Sequence, residues 1–531
     1  MAAASYLDLR DRSHLCRTLE GQVFDLLIIG GGITGAGVAR DAAMRGLSVA
    51  LVEARDFASG TSSRSSKMIH GGLRYLAQGD VGLVREAASE RKVLHRIAPH
   101  LAQPTWFLIP SQNRATTAKL KAALWTFDRL GGVGTDDRHS ILTPEEVAAR
   151  EPVMRSDGLH RAIMYREYLT DDARLTLANI RSAQAHGAVV INYFAASRIT
   201  AGAATEIVCT STLPGDEREC SIRAKQVVNA AGPWVDALRQ VEDSSSDARL
   251  ALSKGIHVVV ARDALPVKHT VIINTPDKRS IFAVPRGAFT YIGTTDAFYP
   301  DTDYWPKVER SDVDYLISAT KIGLHAEGLS SDDVISVWSG IRPLVRQDGK
   351  SATDVSRKDE MWVGPSGVLS IGGGKLSAYR AMAERIVDKV AASAGKQVAD
   401  CSTGEEPLPG GEHAVERSPA LTPLEDAAAE RLARLYGTET GALRDDGGDV
   451  AAEARRAVLV EGAMRLEDYW VRRSGRAWFD DASGRASLAP AANEMASLLS
   501  WSPDRTKQEI ENCHAIDADS KSNIEMSGVS Q

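Results

Sequence analysis

Gly30, Gly32 and Gly35 stand at G-x-G-x-x-G spacing directly after an apolar run, residues 26–29. A stretch of small residues with helical character follows, then a second apolar run, 49–52, closed by Glu53. This order predicts a βαβ unit. Gly30 makes the tight turn, Gly32 lets the backbone approach a diphosphate, and Gly35 lets helix and strand pack closely. The helix amino end offers free N–H groups and the positive end of a dipole to the phosphates. Glu53 is placed to accept a ribose hydroxyl, and its charge disfavours a 2′-phosphate. The chemistry indicated is dinucleotide binding. The five cysteines (Cys16, Cys209, Cys220, Cys401, Cys513) form no C-x-x-C pair, and the twelve histidines show no ligand spacing. Reduced thiols in a cytosolic setting, no disulfide frame and no metal site are therefore expected.

A chain of 531 residues is too long for one core, so two or three domains are expected. A net charge of −7 gives no electrostatic reason for a nucleic-acid partner. No apolar run reaches the ~18 residues of a spanning helix, and the polar start is no signal peptide. Residues 1–22 read as an arm, 61–67 as a serine-rich loop and 81–98 as an amphipathic helix ended by Pro99. Strands are predicted at 188–194, 207–212, 226–228, 257–260, 271–273, 281–284, 291–294 and 334–337. Those between 251 and 295 lack intervening helices, which predicts an antiparallel sheet. Strand–glycine–helix logic returns at 369–390, through Gly372, Gly373 and Gly374, with the helix starting around Leu376. The fold class expected is α/β plus α+β: a Rossmann-like domain from 22–95, 168–250 and 336–398, with an inserted antiparallel-sheet domain from 96–167 and 251–335. A Pro/Gly-rich linker, 399–423, leads to a helical domain, 424–510, and a disordered polar tail, 511–531.

Several segments together resemble one family, the FAD-dependent, quinone-linked glycerol-3-phosphate dehydrogenases and their glycerol-phosphate oxidase relatives. They are Thr61-Ser62-Ser63-Arg64-Ser65-Ser66-Lys67-Met68-Ile69-His70-Gly71-Gly72-Leu73-Arg74-Tyr75-Leu76, Ser253-Lys254-Gly255-Ile256-His257, Ile292-Gly293-Thr294-Thr295-Asp296, Trp338-Ser339-Gly340-Ile341-Arg342-Pro343-Leu344 and Gly373-Gly374-Lys375-Leu376-Ser377-Ala378-Tyr379-Arg380. Asp171-Asp172-Ala173-Arg174 and Asn229-Ala230-Ala231-Gly232-Pro233-Trp234 join them. The resemblance covers about residues 22–392. Beyond the linker Trp470-Val471-Arg472-Arg473 also fits, whereas Trp478-Phe479-Asp480-Asp481 stands where relatives tend to carry arginines.

The resemblance implies FAD as cofactor, and the residues suit it. The Gly372–Gly374 turn supplies N–H donors and a helix dipole for negative charge on a reduced flavin, with Lys375 adjacent and Leu376 opening the helix. Thr61, Ser62 and Ser66 offer hydroxyls to the diphosphate and flavin edge. Gly232 ends a strand in small residues, which suits close approach to the adenosine half or simply packing. The implied substrate, glycerol 3-phosphate, needs a guanidinium or ammonium clamp for its phosphate and a base for its C2 hydroxyl. Arg342, between glycine and proline, is the leading clamp, followed by Arg74 and Lys375, then Arg357. His257 is the base by its near-neutral pKa, with a satisfied core histidine as the alternative reading. Tyr75 and Thr295 line the same pocket.

Residues 114–130 form a basic helix candidate. Leu120, Leu124, Trp125 and Phe127 make its apolar face, and Lys119, Lys121 and Arg129 lie near the edges. Such a helix either lies in a headgroup interface or is buried against the second domain. The family's membrane-surface habit favours the first. The expected activity is oxidation of sn-glycerol 3-phosphate to dihydroxyacetone phosphate, with electrons passed to membrane quinone from the cytoplasmic side. An oxidase using O₂ and an amine or amino-acid oxidase on the same fold are the alternatives. The oligomeric state stays open, a homodimer included.

Overall fold

The computed structural model describes residues 6–71, 81–130, 137–277, 279–347, 359–412 and 427–525. Strand Val23–Ile29 runs parallel to Val49–Val52 on one side and Glu219–Asn229 on the other, with helix Ile33–Met44 linking the first pair. Residues 26–29 are buried on both faces, as a central parallel strand must be. Val189–Ile191 extends the sheet in parallel beyond Val49–Val52, and Leu369–Gly372 does so beyond Glu219–Asn229. Glu360–Val363 closes that edge antiparallel, and Phe194–Thr200 with Thr205–Ser211 forms a meander onto Glu219–Asn229. Helices Asp172–Ala185 and Tyr379–Ser393 pack on Ile33–Met44. The latter comes so close that a β-carbon on Gly37 would sit 2.9 Å from the Tyr379 ring.

A second sheet is built on one long pair, Leu250–Ala261 antiparallel to Val334–Val345. From there it continues through Phe289–Gly293, Ser280–Arg286 and Thr270–Asn274, then to Gln103–Ser111, Arg161–Leu169 and Met68–Ile69. Ile256, Val258 and Val260 face helix Arg310–Gly323 and its Val313, Leu316 and Ile317. The alternate residues, among them His257 and Val259, face the other way. The C-terminal helices bring Trp470 and Trp478 against Val259, Tyr291 and Trp338 on that second face.

Several boundaries differ from those expected. Residues 336–345, placed in the nucleotide-binding domain by sequence, belong to the second sheet, because Val334–Val345 pairs along its length with Leu250–Ala261. Met68–Ile69 also joins that sheet. The second sheet is mixed, not wholly antiparallel: Thr270–Asn274 runs parallel to Gln103–Ser111. Strands Gln103–Ser111, Ser140–Leu142 and Arg161–Leu169 had no predicted counterpart. The run 188–194 is two strands, broken where Tyr193 takes a positive φ of 54°. The amino-terminal arm contains a helix, Arg12–Glu20. Residues 511–525, predicted disordered, belong to helix Pro503–Glu525, which packs through Ile510, Cys513 and Ile516 and pairs Glu509 with Arg465 and Asp517 with Arg485. Linker residues Thr403 and Glu406 are tied down, their carbonyls accepting from Arg40 at 2.9 and 2.7 Å.

Helix Arg114–Leu130 divides the apolar face assigned to it. Leu124 is buried among Phe107, Ile163, Tyr165 and Ile272 of the second sheet, with Leu120 half-buried beside it. Trp125 points outward, 57% exposed, with the Arg129 guanidinium over its ring. The Phe127 side chain lies outside the described residues. Leu124 is therefore core and not a lipid-facing residue. Leu124→Ala is expected to cost about 2–5 kcal/mol, read as a lower urea midpoint with an unchanged slope.

Candidate active site

Gly30 has φ of 115°, and a β-carbon there would lie 2.5 Å from the Ala230 carbonyl oxygen. A β-carbon on Gly35 would run into the Gly30 carbonyl oxygen, so neither glycine has an alternative. Gly32 caps helix Ile33–Met44 without a side-chain bond. Ser62 compensates from the serine-rich loop, its Oγ accepting from the Ile33 N–H at 2.9 Å. Glu53 accepts from the Gly31 N–H at 2.6 Å and the Arg55 N–H at 2.9 Å. Burial pushes its pKa up, and those two N–H groups pull against that. Glu53 thus braces the glycine loop, and each of its oxygens keeps a second lone pair for a further donor. A tight glycine cradle, a helix amino end and a terminal carboxylate together fit the dinucleotide FAD.

The serine-rich loop carries the chain from one sheet to the other, and its polar groups are claimed by named partners. Thr61 Oγ1 donates to the Ile341 carbonyl at 2.6 Å. Asp172, fully buried, accepts from Ser65 N–H at 2.9 Å, Ser65 Oγ at 2.7 Å and Lys67 Nζ at 2.6 Å. Trp338 Nε1 donates to the Ser65 carbonyl at 3.2 Å, and the Tyr291 hydroxyl to that of Ser66 at 3.0 Å. Thr61 and Ser66 were expected to face the cofactor; here their hydroxyls reach the second sheet, Ser66 through His257. Asp172, Tyr291 and Trp338 had no role assigned from sequence. The only local sign was an acid pair at a helix start.

His257 and Arg342 lie on one face of the long strand pair, whose register sets His257 opposite Trp338, Gly255 opposite Gly340 and Ser253 opposite Arg342. The His257 ring stacks on Trp338 at 4.7 Å, and Nε2 sits 2.8 Å from Ser66 Oγ. Its Nδ1 is buried with no partner among the described residues. Burial, then the cations Arg342 and Lys67, hold the imidazole pKa well below its ordinary value. The near-neutral pKa expected of His257 is therefore not what its burial gives; the ring is uncharged at neutral pH, which leaves it able to accept a proton. Arg342 lies across Gly255, where any β-carbon would strike the guanidinium. It donates to Thr294 Oγ1 at 3.0 Å, the Thr295 carbonyl at 3.3 Å and Asp296 Oδ1 at 3.3 Å. Thr295 meets Arg342 through its carbonyl only; its hydroxyl accepts from the Ile256 N–H at 3.1 Å. Thr294 and Asp296 supply the side-chain contacts instead, and both stood unassigned in the quoted Gly293-Thr294-Thr295-Asp296 run.

The second glycine turn is formed. Gly373 and Gly374 have φ of 77° and 90°, and Lys375 caps the short turn Leu376–Ala378 that leads into helix Tyr379–Ser393. The helix thus begins at Tyr379, and Leu376 sits in the tighter turn before it. Gly372 brings this turn against the second sheet, since its β-carbon would lie 2.9 Å from Leu250. Gly232, with φ of 57°, opens the turn after Glu219–Asn229. Arg74, Tyr75 and Arg357 lie outside the described residues. Among the described residues no His, Cys, Asp and Glu group could hold a metal ion.

Comparison with known proteins matches residues 25–380 to the FAD dependent oxidoreductase family and 401–506 to the C-terminal domain of alpha-glycerophosphate oxidase. The aerobic glycerol-3-phosphate dehydrogenase of Bacillus subtilis (strain 168) is 36% identical over 95% of this chain and 97% of its own length. That of Staphylococcus aureus (strain USA300) is 37% identical over 93% and 94%. Among solved structures, the glycerol-3-phosphate dehydrogenase from Bacillus halodurans, complexed with FAD, superposes with a TM-score of 0.80 at 31% identity, covering 99% of this chain and all of that one. L-alpha-Glycerophosphate Oxidase from Mycoplasma pneumoniae, with FAD bound, shares the fold at a TM-score of 0.57 and 18% identity, over 73% of this chain and 99% of its own.

Two outcomes are expected from this geometry. Gly35→Ala should purify without FAD absorbance, because the Gly30 carbonyl that the new β-carbon strikes is backbone and cannot yield. His257 should also shape the acid limb of stability. The folded chain withholds a proton that the unfolded chain takes up below about pH 6.5, so stability falls as pH drops through that range. His257→Gln should flatten the fall, seen by comparing urea midpoints at pH 7.5 and 5 with those of the unaltered protein.

Proposed function

The chain belongs to the aerobic glycerol-3-phosphate dehydrogenase family of FAD-dependent oxidoreductases, and from that membership we infer that it oxidises sn-glycerol 3-phosphate to dihydroxyacetone phosphate. The observation that carries the reading is the pairing of Arg342 with an uncharged, buried His257 on one face of the same two strands. FAD supplies the acceptor for the hydride leaving C2. The residues supply the rest. Arg342 supplies the positive charge that draws the phosphate, and Ser253, Thr294 and Asp296 hold its plane fixed. His257 accepts the C2 hydroxyl proton, its ring kept from rotating by Trp338 and Ser66. Arg342 is also one of the cations that depress the His257 pKa. A phosphate dianion on Arg342 offsets that charge, so the base strengthens when substrate is in place. Lys375, beside the Gly372–Gly374 turn, is proposed as a further phosphate ligand, and the family resemblance adds Arg74 and Tyr75 as candidates.

The electron acceptor is assigned to membrane quinone, reached from the cytoplasmic face. No helix among the described residues is long and apolar enough to cross a membrane. Attachment is proposed through the outer face of helix Arg114–Leu130, where Trp125 and the side chains of Lys119, Lys121 and Arg129 are exposed. An exposed indole flanked by cations suits an anionic headgroup layer, each cation contributing about 1 kcal/mol there.

Anaerobic bleaching of the flavin by glycerol 3-phosphate is the primary test. Oxidised flavin that persists in excess substrate would rule the reading out, and peroxide released in air at the turnover rate would reassign the acceptor to O₂. Arg342→Met should raise KM and lower kcat together, since a misplaced C2 is out of line for transfer. The charge-assisted contact is worth roughly 2–4 kcal/mol, about 30- to 1,000-fold in kcat/KM. His257→Ala should keep FAD and bind substrate but slow flavin reduction by roughly 10²–10⁴-fold. Replacing Trp125, Lys119 and Lys121 with serine should release the protein from anionic vesicles and depress quinone reduction, with substrate bleaching of the flavin intact. Full quinone activity on vesicles would place the anchor elsewhere.

A further inference from the structure

The short helical turn Asp468–Arg473 carries two consecutive arginines that are both fully buried. The turn is wider than an α-helix, closed by the Ser474 N–H on the Tyr469 carbonyl five residues back. Arg472 Nε reaches Asp56 Oδ2 at 2.5 Å, and Arg473 grips both oxygens of the same carboxylate, with Nη2 to Oδ1 at 2.8 Å. Burial alone would raise the Asp56 pKa, but Arg473 and Arg472 outweigh it and hold the carboxyl ionised below its ordinary range.

Asp56 belongs to the segment that shapes the cofactor loop. Three residues before it Glu53 takes the Gly31 N–H, and two residues after it the Ala58 N–H donates to the Gly31 carbonyl at 3.0 Å. Phe57 lies so close under Gly31 that a β-carbon there would be 2.6 Å from its ring. The far end of the segment reaches that turn indirectly, through Tyr304. Arg64, buried on Trp305 at 3.9 Å, also lies over Tyr304, whose hydroxyl donates to Glu467 at 2.5 Å and accepts from Arg472 at 3.1 Å.

We propose that the C-terminal domain is a retaining device for the cofactor: through Arg472 and Arg473 on Asp56 it fixes the Glu53–Arg64 segment and with it the Gly30–Gly35 loop. Arg472 and Arg473 are positioning residues that act through Asp56. The inference rests on reading that loop as the FAD site. The pair does more than dock a domain, because its target carboxylate lies in the chain that touches Gly31 and not at the rim of the interface.

The test is the FAD dissociation constant by flavin fluorescence, measured alongside the melting temperature of the apoprotein. Arg473→Met should weaken FAD binding at least tenfold, because it leaves a buried carboxylate with half its neutralisation. Adding Asp56→Asn should restore most of that loss by removing the stranded charge. Arg473→Lys keeps the charge but not the fork, and should lie between the two; it stands in if Arg473→Met does not fold. With FAD in saturating excess, KM for glycerol 3-phosphate should stay within twofold, since Arg342 and His257 sit on the other sheet. Wild-type FAD affinity with only a lowered apoprotein melting temperature, in Arg473→Met or in its lysine stand-in, would overturn the proposal. Retention of FAD by Gly35→Ala in the same assay would instead overturn the cofactor-loop reading, a separate outcome.

Discussion

One buried carboxylate holds the crossing between the two sheets. Asp172 sits at the start of helix Asp172–Ala185 in the nucleotide-binding layer and collects three donors from the segment that leaves it, two from Ser65 and one from Lys67. Lys67 is itself in a left-handed conformation, φ 52°, which a non-glycine residue adopts only when its surroundings impose it. Without that carboxylate, a run of inward-turned backbone and side-chain dipoles would lie unmatched in a dry interior. With it, Ser66 arrives under His257 and Thr61 arrives at Ile341. Asp172 thus shapes the site without being part of the reaction.

The site's electrostatics follow from burying a histidine beside cations. Burial first, then the cations Arg342 and Lys67, keeps the imidazole uncharged, which suits the role of proton acceptor proposed for it. The cost is a weak base in the resting state. In the proposed reading a dianionic ligand on Arg342 offsets the cationic part of that depression, which would couple recognition of the phosphate to proton removal from C2. An amine substrate would gain nothing from such a coupling.

What could be read from sequence was what is local. The glycine loop, Glu53, the second glycine turn and the core of each long strand depend on neighbours within a few residues, and their spacing carries the physics. Strands Gln103–Ser111 and Arg161–Leu169 were missed because their pairing is with each other across fifty residues and their composition is broken by prolines and charges. Leu124 was assigned to lipid because periodicity fixes a helix face but not what covers it. The 511–525 part of helix Pro503–Glu525 looked like a polar tail because few of its apolar residues, Cys513 and Ile516 among them, meet the protein, and buried charges such as Asp517 make further contacts. Thr294 and Asp296 were passed over beside Thr295 for a related reason: adjacent residues point to opposite sides, and only the register says which side holds Arg342.

That register gives the long strand pair a role in folding as well as in chemistry. Pleating alternates the faces of Leu250–Ala261 and Val334–Val345, one toward helix Arg310–Gly323 and one toward the site. A slip of a single residue would exchange the faces of one strand, driving Arg342 into the aliphatic core and offering Ile341 in its place. Burying that charge costs more than a domain has to spare. Arg342 therefore also acts as a proofreader of strand alignment: a chain misaligned by one residue cannot settle into a stable form.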